Sequence, residues 1–315
     1  MRALLLALTT VGVTACIGGY EYRDAEPLPF SEIDYGFPVE HAFDDPRVAY
    51  VDVGDGPETL ILLHGLASNL GFWRYNIPGL AENYRVIALD LPGYGRSEKS
   101  GDYPYSLSFF AAAIERLIDH LDLDQVTLVG QSMGGQIAMV AALTYPRAVD
   151  QLVLVDPAGI ETFDPGEADW LRNVYTIEGI RATPEDAIRA NLALNFYEWD
   201  DRFEWMVEER ARLAKTDEFD QFAYAVKQSV GAMLDEPTAP YLERIEQPTL
   251  IVYGEYDELI PNPYLHPGFA EDVFEEGAER IPNAALVEIE DAGHLVMMER
   301  PEAFNRVVTD WLQRH

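Results

Sequence analysis

The chain has 315 residues, enough for one large or two small domains with a sizeable core. Hydrophobic residues make up 48% and charged residues 24%, which excludes a disordered or fibrous chain and indicates a globular one. The net charge of −33 repels phosphate, so nucleic acid is excluded as a partner and anionic lipid headgroups are disfavoured.

At the amino terminus, Met1-Arg2 precedes an apolar run, Ala3 to Ala15, that is too short to span a bilayer. Its proportions are those of an export signal. The junction Val13-Thr14-Ala15-Cys16 resembles the bacterial lipobox, where the signal is cut before a cysteine that is then lipidated. Cys16 is the only cysteine, so no internal disulfide competes for it. The resemblance implies a signal peptide over 1–15, a lipid on Cys16 and attachment to the cell envelope. A plain secretory signal and an uncleaved anchor are the alternatives. Residues 16–45, with Gly18-Gly19 and two prolines between Glu26 and Phe30, read as a tether.

Val48 to Val53 then alternates as a strand, and Gly54-Asp55-Gly56 marks a turn. Leu60 to Leu63 and Val86 to Leu89 are continuous apolar runs, as expected of strands buried on both faces. A helix is predicted over Leu107 to Leu121, from the spacing of Phe110, Ile114, Leu117, Ile118 and Leu121. A strand at Val126–Val129 leads into Gly130-Gln131-Ser132-Met133-Gly134 and a helix over Gln136–Tyr145. This G-x-S-x-G stands between strand and helix, the context a nucleophile elbow requires. Leu152 to Val155 is a further strand. From Gly159 to Glu246 strand-like runs give way to helical segments such as Asp186–Phe196 and Phe203–Leu213. Strands resume at Thr249–Tyr253 and Ala285–Ile289, and a last helix starts near Pro301. Alternating strands and helices mean a mostly parallel α/β sheet. The domain reading is a core of residues 46–158 and 247–315, with a helical cap over 159–246.

A serine hydroxyl needs a base to take its proton and a carboxylate to orient that base. Of six histidines, His294 follows a strand and a glycine; His41, His120, His266 and His315 lack that setting, and His64 belongs to an earlier loop. Asp257, in Gly254-Glu255-Tyr256-Asp257, is the candidate acid, with Asp156 as runner-up because it too ends a strand. The order Ser132, Asp257, His294 is the Ser…Asp…His order of the α/β-hydrolases.

These motifs together resemble the α/β-hydrolase fold superfamily over nearly all of residues 47–315. His64-Gly65-Leu66 is similar to its oxyanion loop, Asp90-Leu91-Pro92-Gly93-Tyr94-Gly95-Arg96-Ser97 to its D-x-P-G-x-G-x-S pattern, and Gly293-His294 to its histidine loop. The resemblance implies a mostly parallel central sheet flanked by helices, with the cap inserted after the sixth core strand. It assigns the oxyanion hole to the N–H groups of Leu66 and Met133, and substrate contacts to His64, Gly65 and Met133. It calls for no cofactor and no metal. Ser132 at the elbow argues against the dehalogenase and epoxide-hydrolase branches, which carry aspartate there.

LVLVDPAGI (152–160) and HLVMMERP (294–301) look like the monoacylglycerol-lipase and esterase branch. Carbon–carbon hydrolases of aromatic degradation usually place a tryptophan soon after the catalytic histidine, where this chain has Leu295-Val296-Met297. The expected activity is hydrolysis of carboxylic esters of apolar acyl groups, monoacylglycerols among them, through an acyl-enzyme on Ser132. The alternatives are a carbon–carbon hydrolase of the meta-cleavage type and a non-catalytic ligand-binding protein. The expected partner is a small apolar ester, since the acidic surface disfavours anions at encounter.

Overall fold

The computed structural model describes residues 21–315. The expected export signal and Cys16 lie outside the described residues. Eight strands form one sheet: β1 (Glu40–Ala42), β2 (Val48–Val53), β3 (Thr59–Leu63), β4 (Arg85–Leu89), β5 (Val126–Gln131), β6 (Gln151–Val155), β7 (Thr249–Gly254) and β8 (Ala284–Ile289). Their spatial order is β1-β2-β4-β3-β5-β6-β7-β8. β2 pairs antiparallel with both β1 and β4; the pairings β4–β3, β3–β5, β5–β6, β6–β7 and β7–β8 are parallel. All residues of β3, β5 and β7 are buried, which is why their apolar runs are unbroken.

In the core, α1 (Ile77–Leu80), α2 (Leu107–His120) and α3 (Met133–Thr144) lie before β6 in the chain. Ser106 caps α2 by accepting the Phe109 N–H at 3.0 Å. After β6 the chain builds the cap: α4 (Pro165–Val174), α5 (Ile177–Arg181), α6 (Glu185–Ala193), α7 (Glu204–Leu213) and α8 (Phe219–Asp235). α9 (Ala270–Arg280), α10 (Val296–Glu299) and α11 (Pro301–Leu312) complete the core. Phe196, Phe203, Phe219 and Phe222 are buried, with Phe196 stacked on Phe203 at 4.2 Å. Trp170, Tyr175 and Tyr197 on the same cap are exposed. Among the described residues no helix is long and apolar enough to cross a membrane.

One expectation needs correcting. Much of the presumed tether is folded: Phe30, Ile33 and Tyr35 are buried in the main core, and β1 pairs with β2. Further upstream, Lys215 on the cap donates to the carbonyls of Tyr22, Arg23 and Ala25. Three scattered apolar side chains make no periodic pattern, so their burial was not visible in sequence. α3 also begins earlier than expected, because Ser132 itself is its N-cap residue.

Candidate active site

The parallel register brings the carboxyl ends of β3, β5, β6 and β7 to one edge of the sheet, where open α/β sheets bind ligands. There β5 turns into α3 within one residue. Ser132 takes φ 53°, ψ −117°, a strained conformation for a residue with a Cβ. Its own N–H donates to Val155 O at 2.9 Å, and its carbonyl accepts from Gly135 N and Ala158 N at 2.9 and 3.1 Å. A Cβ at Gly134 would overlap the backbone oxygens of Leu63 and His64, so only glycine lets α3 approach β3. Ser132 stays half-buried while its neighbours Gln131 and Met133 are buried.

The loop after β3 lies against this serine. A Cβ on Gly65 would come within 3.2 Å of Ser132 Cβ, so bare backbone faces the hydroxyl-bearing carbon. Among the described residues, the N–H groups of Leu66 and Met133 donate to no protein acceptor. Met133 N–H opens α3, where the helix dipole favours negative charge. Met133 is buried in this structure, and its N–H at the start of α3 is a donor the site can offer to developing negative charge.

His64 is a second correction. Its ring is fully buried, Nδ1–H donates to Gly65 O at 2.8 Å, and Nε2 accepts the Leu91 N–H at 3.1 Å. Both nitrogens are spent on backbone, so the side chain braces the loop instead of touching substrate. Burial draws this imidazole down to about 4, which keeps it neutral near pH 7. Asp90 braces the same region by accepting Leu70 N, Arg96 N and the Tyr35 hydroxyl at 2.7–2.8 Å.

At the ends of β7 and β8 the structure brings Asp257 and His294 together. His294 Nδ1–H donates to Asp257 Oδ2 at 2.8 Å, leaving Nε2 as the free acceptor. Asp257 Oδ1 accepts Leu259 N at 2.8 Å and Ile260 N at 3.3 Å. No hydrogen bond joins Ser132 Oγ to His294 among the described residues. The two loops are tied instead by Gln131, whose Nε2 donates to His294 O at 3.1 Å. Such links are often loose without substrate. Of the other histidines, His41, His120 and His315 are exposed, and His266 is held between Glu161 and Glu167.

Two positioning groups escaped sequence reading. One is Gln131, a variable position in the elbow motif. The other is Glu299, buried in α10, which accepts Gly293 N at 2.8 Å and, from the cap, Tyr197 N and Glu198 N at 3.1 and 2.9 Å. It thus ties the cap to the histidine loop. Its place in HLVMMERP was the only available signal.

A cavity of about 40 Å³ lies between the oxyanion loop (Ala67, Ser68, Asn69) and the cap (Glu209, Arg210, Leu213, Phe222). Asn69 donates to Glu209 at 2.7 Å, and burial pushes that carboxyl up to about 7. The Arg210 guanidinium lies 4.5 Å from the Phe222 ring centre and within 4.0 Å of no carboxylate among the described residues.

Residues 58–301 match the family model of the alpha/beta hydrolase fold. Among curated proteins, the chain is 30% identical to a 2-hydroxy-6-oxononadienedioate/2-hydroxy-6-oxononatrienedioate hydrolase of Pseudomonas putida, covering 85% of this chain and 92% of that one. It is also 30% identical to the dihydrolipoyllysine-residue acetyltransferase component of the acetoin cleaving system of the same species. That match covers 83% of this chain but only 65% of the longer relative. Among solved structures, a probable hydrolytic enzyme of Pseudomonas aeruginosa PAO1 superposes with TM-score 0.80 at 28% identity, over 91% of this chain and 99% of that one. An esterase of Exiguobacterium antarcticum superposes with TM-score 0.72 at 25% identity, over 88% and 99%. On its fold, its motif order and these relatives, the chain belongs to the alpha/beta hydrolase family.

Proposed function

We propose that the protein is a serine hydrolase that cleaves carboxylic esters of apolar acyl groups, monoacylglycerols among them. The observation that carries this reading is the Asp257–His294 pair, whose histidine loop is tied through Gln131 to a half-buried, backbone-strained serine at the start of α3. Ser132 Oγ attacks the acyl carbonyl while His294 Nε2 takes its proton. The Leu66 and Met133 N–H groups receive the oxyanion, and losing one such donor costs about 3–4 kcal/mol of transition-state stabilisation. The imidazolium then protonates the leaving alcohol. In the second half, His294 activates a water that releases the acid and restores Ser132. Asp257 holds the imidazole in the tautomer that leaves Nε2 free.

In this reading the cap, which meets the oxyanion loop around a cavity of about 40 Å³, opens to admit the acyl chain. A second reading, carbon–carbon hydrolysis, is favoured by one feature. Arg210 presents a positive charge beside the oxyanion loop, with no ion-pair partner among the described residues. A substrate with a carboxylate would suit it, and the Pseudomonas putida relative is named for a dioate. This softens the expectation that anionic substrates are disfavoured throughout.

The test is a panel of p-nitrophenyl esters, monoacylglycerols and a vinylogous 1,5-dione, with fluorophosphonate labelling. Ester turnover and labelling abolished together by Ser132→Ala support the proposal. Undiminished turnover in that variant overturns it, and a dione consumed faster than any ester selects the second reading. Absence of labelling in the wild type selects the non-catalytic one. We further propose export and lipid anchoring through Cys16, on the lipobox-like junction alone.

A further inference from the structure

Asp156 ends β6 and takes part in no step above. It is fully buried, and its φ of +42° is a left-handed conformation that a residue with a Cβ adopts at a cost. Oδ1 accepts the Gly254 N–H at 3.0 Å, at the root of the loop carrying Asp257. Oδ2 meets no N–H or O–H donor among the described residues. Its neighbours are instead the other members of the site. One side-chain atom each from Asp156, Asp257 and His294 lies within 4.8 Å of the other two, and all three residues are buried. Glu299, also buried, adds negative charge to the same pocket.

Two carboxylates this close and away from water do not both stay ionised; the pair keeps a proton. The surrounding donors decide where. Asp257 accepts two backbone N–H groups and the imidazole N–H, the surroundings of an anion. Asp156 accepts one N–H and has an oxygen left facing an acceptor.

We propose that Asp156 is a carboxylic acid whose O–H donates to Asp257, making it a positioning residue for the Asp257–His294 pair. Burial and the charge of Asp257 push its carboxyl well above the usual carboxylate range, in agreement with this placement. The proton has two effects. It adds a further hydrogen bond to Asp257 beside those from Leu259 N, Ile260 N and His294, and so helps fix the carboxylate against rotation. It also leaves His294 facing one adjacent negative charge from this pair instead of two, so the imidazolium is not over-stabilised and can return its proton to the leaving group.

The positioning role rests on the catalytic reading of Ser132, Asp257 and His294; the protonation of Asp156 does not. The experiment therefore has two readouts on the full-length protein. Infrared difference spectra, wild type minus Asp156→Asn, should show a protonated-carboxyl C=O band near neutral pH. Its absence overturns the proposal whatever the enzyme catalyses. The pH profile of ester hydrolysis is the second readout. Asp156→Asn keeps a donor and carries no charge, so it should hold kcat within about threefold and leave the acid limb in place. Asp156→Ala should lower kcat about tenfold or more with KM nearly unchanged. An Asn variant whose acid limb moves down by about one pH unit would mean that Asp156 is ionised, and would overturn the proposal. An Ala variant equal to wild type would overturn the positioning role. If the Ala variant does not fold, the Asn variant and the infrared band decide. Turnover surviving in Ser132→Ala would sink the catalytic reading alone.

Discussion

Replacing His64 by asparagine separates a bracing role from a substrate-binding one. Asparagine can still donate to Gly65 O in place of Nδ1–H, but the Leu91 N–H loses its acceptor. A buried N–H left without a partner costs about 1–3 kcal/mol. The lost ring, which meets Tyr94 edge-on at 5.2 Å, adds about 1 kcal/mol. The variant should thus be about 2–4 kcal/mol less stable at pH 7.5. The pH dependence is sharper. Burial lowers this histidine from 6.5 to about 4 in the folded state. A depressed base is stable above its unfolded value and loses that stability as pH falls towards its folded value. The shift corresponds to about 3 kcal/mol, most of it gone by about pH 4.5. The variant has no group to titrate there, so the gap between the two proteins should shrink to about 1 kcal/mol or less. Asp90, raised to about 6, and Glu209, raised to about 7, act in the opposite direction in both proteins and cancel in the comparison. Urea unfolding at the two pH values measures the gap. A gap of equal size at both would refute the reasoning. So would a raised KM with unchanged stability, which would return His64 to the substrate.

Glu299→Ala should leave the N–H groups of Gly293, Tyr197 and Glu198 without acceptors, loosening both the histidine loop and the cap. The expected result is a loss of about 3 kcal/mol in stability, faster proteolysis near residues 195–200 and a kcat reduced about tenfold or more; Glu299→Gln should be milder. Full-length protein in a bacterial membrane fraction should take up labelled palmitate, and Cys16→Ala should not; equal labelling of both would end the anchoring proposal.

Most of the scaffold could be read directly. Strands β3, β4, β5, β6 and β7 announce themselves because each is nearly or fully buried, so their apolar runs are continuous. The elbow is legible for a similar reason: its turn demands glycines at set positions whatever surrounds it. β1 was missed because an edge strand of three residues, Glu-His-Ala, carries no pattern. α9 was missed because only Ala270, Phe274 and Gly277 face inward. Which carboxylate serves His294 was harder. Asp156 and Asp257 both end strands; the Gly254-Glu255-Tyr256-Asp257 setting made Asp257 the candidate and left Asp156 as runner-up. The structure separates them by their donors, with the His294 ring on Asp257 and a single backbone N–H on Asp156.

The sequence by itself determined the sheet, the position of the cap and the strained serine, because each depends on residues within a few positions of one another. Only the tertiary structure decided that His64 faces inward, that residues 30–35 join the core, and that Glu299 holds the cap to the histidine loop. It also set the hydrogen-bond partners of the two acids, with the imidazole on Asp257 and a single backbone N–H on Asp156. These outcomes follow from desolvation and from hydrogen-bond partners roughly thirty to more than a hundred residues away, quantities that exist only once the chain has closed on itself.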